Sequence, residues 1–207
     1  MTETIPATYL NKPETGYFYA ALLSENAQVK VSGLLQELTE ELPEIIWPMP
    51  PEAMHITLCE IIQARKVYSQ DKDTLFTDRE DEYVHGAAEV LRSIPRFSVM
   101  FNRIEVSPEA IIIRTENGSA FNSIREKLLG RITLPDETKR PPNIIHSSIA
   151  RYVEAVDIER VQSVMAKYSI MLEEPITEFK LIKTLVPPLL EYEELAGYPL
   201  ATKATQL

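Results

Sequence analysis

The order of apolar segments constrains this chain more than any other feature, because it runs through the same sequence twice. Residues 17–23 form an apolar run of strand length. Residues 26–42 then place Val31, Leu34, Leu35, Leu38 and Leu42 on one helical face, and Pro43 ends the helix. After a proline-rich turn at 47–51, residues 54–62 read as a second strand. A polar stretch without clear period, 63–79, reads as a loop. Residues 80–94 carry Val84, Ala87, Ala88 and Leu91 at helical spacing, and Asp78, Glu80, Asp81 and Glu82 mark the helix start, where the dipole favours carboxylates. Pro95 stops this helix, and residues 97–106 form a third strand.

The pattern then restarts. Residues 110–115 are a strand, and Ser119 can cap a helix with Phe121, Ile124 and Leu128 inward and Gly130 past its end. A Pro- and charge-rich loop fills 131–143, and 143–153 is a strand. Asp157 can cap a helix with Ile158, Val161, Val164, Met165 and Tyr168 inward. A strand at 176–186 and an edge strand at 189–200 close the chain. The result is β-α-β-α-β twice with no letter-by-letter repeat. It predicts an α+β fold, a single domain over residues 1–207 made of two pseudo-symmetric lobes. The half-repeats span about 17–106 and 110–186, with antiparallel-type sheets flanking a central cleft.

Composition narrows the function. There are 31 acidic against 21 basic residues, a formal net charge of −10. That balance argues against an extended nucleic-acid partner, which needs rows of Lys and Arg to displace counterions, but leaves room for a local phosphate pocket. The single cysteine, Cys59, permits no intrachain disulfide. The N-terminal residues lack a signal-peptide pattern and no apolar run approaches membrane-spanning length. A cytoplasmic protein with no membrane partner, acting as a monomer, is the expectation.

Two of the three histidines stand in matching contexts: His55-Ile-Thr57-Leu and His146-Ser-Ser148-Ile, each on the second strand of its half. Side chains on a strand alternate faces, so His55 shares a face with Thr57, and His146 with Ser148. An imidazole beside a hydroxyl, presented twice across a cleft, suits in-line displacement at phosphorus. One histidine takes a proton from the attacking oxygen and the other protonates the leaving oxygen. The hydroxyls donate to the non-bridging oxygens, and the chemistry needs no metal and no cofactor. A lone H-x-[ST] is a weak signal; two at equivalent places are a strong one.

The two motifs, 91 positions apart, with the opening strand YFYAAL and Ala150-Arg151 after the second, resemble the 2H phosphoesterase superfamily. Its members include LigT-like and cyclic phosphodiesterases. The resemblance implies a metal-independent phosphoric diester hydrolase acting on a 2′,3′-cyclic phosphate or a short nucleotide or RNA-derived diester. It implies His55 and His146 as catalytic groups and Thr57 and Ser148 as phosphate-binding hydroxyls. Resemblance to hydrolytic members favours His146 as base and His55 as acid, although the sequence leaves the assignment open. Ser147, at a usually apolar position, and the Cys59-Glu60 pair depart from the pattern. The alternatives are a 2′-5′ RNA ligase and a nucleotide- or phosphate-binding protein without turnover.

Further candidates for substrate contact are Tyr152, Arg151 and Tyr19. Regular alternation puts Tyr152 on the His146 face, able to stack on a base. It puts Arg151 on the opposite face unless a bulge intervenes, although Arg151 resembles the family's arginine after the second motif. Tyr19 shares a face with Tyr17, and one of them can line the cleft. Alternation likewise places Cys59 with His55 and Thr57, which opens a remote metal set of His55, Cys59 and His146. Lys139 and Arg140 can attract an anion. His85 has no hydroxyl partner and reads as structural.

Overall fold

The chain order, in a computed structural model that describes residues 2–141 and 143–202, is as follows. The first half runs β1 (Gly16–Leu22), α1 (Glu25–Glu41), β2 (Ile46–Pro48), a 3-10 turn (Pro51–Ala53), β3 (His55–Ile62), α2 (Lys72–Thr77), α3 (Glu80–Leu91), β4 (Phe97–Phe101) and β5 (Arg103–Val106). The second runs β6 (Ala110–Arg114), α4 (Ser119–Leu129), β7 (His146–Tyr152), α5 (Ile158–Met165), β8 (Leu172–Ile176), β9 (Glu178–Val186) and β10 (Glu191–Pro199). No helix among the described residues is long and apolar enough to cross a membrane.

Two four-stranded antiparallel sheets result, in the orders β10-β9-β1-β3 and β2-β7-β6-β5, with β4 and β8 forming a separate antiparallel ribbon. The halves interlock. The last strand of the first half, β5, pairs with β6, whereas β9 from the second half pairs with β1. Helices are exchanged as well. The α1 stripe of Ala27, Val31, Leu35 and Leu38 is buried, and the helix packs on β2 and β7. On α4, Phe121 meets Phe179 of β9 edge to face at 5.5 Å. Each sheet, built from two strands of each half, is therefore covered by helices: α1 lies on β2 and β7 of one, and α3 and α4 lie on β10 and β3 of the other.

Local chemistry explains the helix ends. Ser24 caps α1 by accepting from Ala27 N, and Asp157 caps α5 by accepting from Glu159 N. The first turn of α3 carries Glu80, Asp81 and Glu82. Ser119 is not a cap: Gly118 holds the N-cap position of α4, and the Ser119 hydroxyl bonds Asn117 instead.

Four expectations needed correction. The strand expected over 97–106 breaks at Asn102, and its two pieces enter different sheets. A strand forms at 172–176, hidden in the sequence because its inward residue Glu174 is charged and it contains Pro175. Tertiary structure supplies what that carboxylate needs, since Ser24 N and Ser24 Oγ both donate to it at 2.8 Å. Part of the 47–51 turn pairs with β7 as β2. The 63–79 loop contains α2, capped by Asp71.

Ser147 is 1% exposed on the core face of β7, and its Oγ has no hydrogen-bond partner among the described residues. A buried hydroxyl without a partner costs about 1–3 kcal/mol. Ser147→Ala is expected to stabilise the fold by about 1 kcal/mol, read as a higher urea midpoint; a lower midpoint would show that the hydroxyl is satisfied.

Candidate functional site

The histidine strands are both bulged at the same place. In β7, Ile112 pairs with Ser148 and Ile111 with Ala150, which leaves Ile149 as the extra residue. In β3, Ala20 pairs with Thr57 and Tyr19 with Cys59, which leaves Leu58 extra. Each bulge lies three residues after its histidine. A bulge resets the side-chain alternation by one. The cleft face of β3 therefore reads His55, Thr57, Glu60, and that of β7 reads His146, Ser148, Arg151.

Several expectations change accordingly. Arg151 enters the cleft. Tyr152 does not: it is fully buried, with its hydroxyl donating to Ser107 O at 3.1 Å. Cys59 turns into the core and is fully buried, so it does not join His55 and His146 in a metal set. Among the described residues no three His, Cys, Asp or Glu side chains converge as metal ligands. Tyr19 is also fully buried and donates to Tyr83 O at 2.8 Å. Tyr17 stacks on Phe76 and donates to Asp73. The cleft residue of β1 is instead the one between them, Phe18, whose ring lies 5.5 Å from that of His55. Lys139 lines the cleft, but Arg140 pairs with Glu126 at the surface. His85 is an exposed residue on α3 beside Asp81.

The cleft has a volume of about 800 Å³ and holds both imidazoles and both hydroxyls. His55 Nδ1 lies 2.8 Å from Ala53 O. A carbonyl only accepts, so Nδ1 carries the proton and Nε2 keeps its lone pair for chemistry. The His146 ring is also hydrogen-bonded to backbone, that of Ile144 two residues before it. Burial pushes His55 down to about 4, further lowered by Arg151 and His146 and partly opposed by the bond to Ala53. Burial does the same to His146, again to about 4, with Arg151 and Arg125 adding to the effect. Both rings are thus neutral at neutral pH. The expected division into one neutral and one protonated ring needs the negative charge of a ligand.

Arg151 is the principal cation facing both rings. It makes no side-chain hydrogen bond or ion pair among the described residues, and its buried Nε has no partner. Five basic side chains (Arg65, Lys66, Arg125, Lys139 and Arg151) line the cleft against two carboxylates, Glu60 and Glu109. The cleft is locally basic in a chain of net charge −10.

Sequence reasoning missed Arg125. Its guanidinium, on the inner stripe of α4, donates from Nε to Leu58 O at 2.6 Å and from Nη2 to Thr57 O at 3.0 Å. Nη2 also reaches Ile144 O at 3.3 Å. One side chain thus bonds the first bulge and the backbone two residues before His146, tying the two motifs together. The available signal was a charged residue among Phe121, Ile124 and Leu128 on an otherwise apolar face.

Arg125→Met is expected to destabilise the protein by at least about 2 kcal/mol in urea denaturation, because buried carbonyls lose their donors. A loss under about 0.5 kcal/mol would show that the bonds are not needed. The histidines give the fold a pH dependence. In the unfolded chain they titrate near 6.5, and in the fold near 4. Between those values the unfolded state binds more protons, so stability falls as pH falls through that window. Urea midpoints are expected to drop between about pH 7 and pH 4.5, and to drop less in His55→Gln/His146→Gln.

No protein-family model matches the chain, and comparison with curated proteins finds no significant match. Solved structures do match. Protein TT0787 of Thermus thermophilus superposes with a TM-score of 0.62 at 17% identity, over 91% of this chain and all of that one. Escherichia coli LigT in apo form gives 0.63 at 14% identity, covering 93% of this chain and all of LigT. A structure described as a phosphoesterase gives 0.60 at 16% identity, over 92% of this chain and all of that one. The fold of this protein, two antiparallel sheets flanking a cleft, is similar to that of Escherichia coli LigT and of TT0787.

Proposed function

We propose that the protein is a 2H phosphodiesterase, opening a 2′,3′-cyclic phosphate or cleaving a short nucleotide diester by two-histidine acid–base catalysis without a metal. The observation that carries this reading is the convergence, in one basic cleft, of two imidazoles, two hydroxyls and an arginine without an acidic partner. The phosphate binds Arg151, and Thr57 and Ser148 donate to its non-bridging oxygens. Its charge raises the affinity of the rings for a proton. One imidazole removes a proton from the attacking water as the new P–O bond forms. The other, protonated, delivers a proton to the alcohol oxygen as the old bond breaks. Acidity outside the cleft favours a small substrate over long RNA. Escherichia coli LigT forms complexes with phosphate and with 3′-AMP, ligands of the kind this cleft suits.

Hydrolysis of a nucleoside 2′,3′-cyclic phosphate by the purified protein is the direct test. His55→Ala and His146→Ala are each expected to lower the rate by at least about 10²-fold, and EDTA to leave it unchanged. Thr57→Ala and Ser148→Ala should cost about 10²–10³ at most, the effect of losing one donor. EDTA inhibition reversed by a divalent metal overturns the metal-free mechanism. The pH profiles supply a second check. Because both values lie near 4 and bound phosphate raises them, the optimum of kcat/KM is expected at lower pH than that of kcat. Each is bell-shaped, with limits belonging to the coupled pair. Coincident profiles would show that the ligand does not shift the rings.

A further inference from the structure

The quasi-symmetry of the two motifs extends to the position five residues after each histidine and breaks there. Past its bulge, β7 presents Arg151 to the cleft and β3 presents Glu60, so equivalent positions carry opposite charges. Arg151 is free to meet an anion. Glu60 is in no ion pair among the described residues, and its Oε2 accepts from Gln63 Nε2 at 2.9 Å. The nearby cation Arg65 is engaged with Glu109 at 3.1 Å and lies over the Tyr9 ring at 4.6 Å. The Gln63 backbone is fixed by its N–H donating to the Tyr68 hydroxyl at 2.8 Å.

The chemistry of this pair restricts what can lie beside it. A carboxylate only accepts, so the Gln63 amide must turn its NH₂ toward Glu60. The oxygens left over, one on Glu60 and one on Gln63, are acceptors. A phosphate oxygen brought against those two oxygens meets like charge and a second acceptor, and the one donor left in the pair is the second N–H of the Gln63 amide. A hydroxyl or an amino group meets two acceptors, one of them charged, and a charged acceptor makes the stronger hydrogen bond.

We propose that Glu60 and Gln63 form a subsite for the hydrogen-bond-donor edge of the substrate's nucleoside, and that Glu60 thereby orients the diester in an otherwise quasi-symmetric cleft. The phosphate sits toward Arg151 and the nucleoside toward Glu60. This rests on the reading of the cleft as a nucleotide phosphodiester site. The donor is a ribose hydroxyl or a base amine, which share the required chemistry.

Calorimetric binding of inorganic phosphate and of 3′-AMP to the full-length protein separates the subsite from the phosphate site. The wild type is expected to bind 3′-AMP more tightly than phosphate. Glu60→Gln and Glu60→Leu should each weaken 3′-AMP binding enough to narrow that gap by about tenfold or more, while phosphate affinity does not fall. Gln63→Leu should narrow it in the same direction. With 2′-deoxyadenosine 3′-monophosphate and purine riboside 3′-monophosphate as probes, the analogue whose gap no longer responds to Glu60→Gln identifies the donor as the 2′-hydroxyl or the base amine. If neither loses its response, the donor is the 5′-hydroxyl. A gap unchanged in both Glu60 variants, or phosphate and 3′-AMP weakened equally, overturns the subsite and leaves the phosphodiesterase reading standing. Failure of the wild type to bind phosphate at all overturns both.

Discussion

The charge that faces the two histidines depends on two strands failing to alternate. In a regular strand a histidine, the residue two positions on and the residue four positions on share a face. The extra residue at Leu58 in β3 and at Ile149 in β7 moves the third cleft position from the fourth residue to the fifth. That one-residue offset brings Arg151 and Glu60 into the cleft and sends Cys59 and Tyr152 into the core. Bulges expose backbone groups, and here those groups are used. Arg125 bonds the carbonyls of Thr57 and Leu58, and Met49 N donates to Ile149 O at 2.8 Å. The irregularity is held from both sides by buried partners, so the offset is a fixed feature of the fold.

The same interlocking sets the electrostatics. Two sheets, each built from two strands of each half, hold β3 and β7 side by side without hydrogen-bonding them into one sheet. The rings are thereby buried deeply enough to stay neutral, close to a guanidinium that opposes their protonation. In the phosphodiesterase reading proposed above, the negative charge of a bound phosphate favours protonation of one ring, so anion binding and ring protonation are linked.

Arg125 and Glu174 show how buried charge is used in this fold. Each sits where helix or strand period calls for an apolar residue, and each is satisfied by backbone from the other half of the chain. Arg125 reaches β3 from α4, and Glu174 accepts from Ser24 at the start of α1. An unpaired charge in either place would be costly. Their partners lie far away in sequence, and no local pattern announces them.

The sequence by itself determined the long helices and most of the strands around them, because helical and strand periods are local, but it did not reveal β2, α2, β8 or the break at Asn102. It also determined the pairing of His55 with Thr57 and of His146 with Ser148, which lie two residues apart and before either bulge. These residues did come together in one cleft. Alternation carried past the bulge gave the wrong face for Tyr152, Arg151 and Cys59, because an extra residue in a ladder is defined by the neighbouring strand. Tyr17 and Tyr19 look like better cleft residues than Phe18, but their hydroxyls find partners in Asp73 and the Tyr83 carbonyl only once α2 and α3 pack on β1. Tertiary structure decided which strands were exchanged between halves, which charges were buried, and which fifth residues face the cleft, since each depends on partners that the chain meets only when folded.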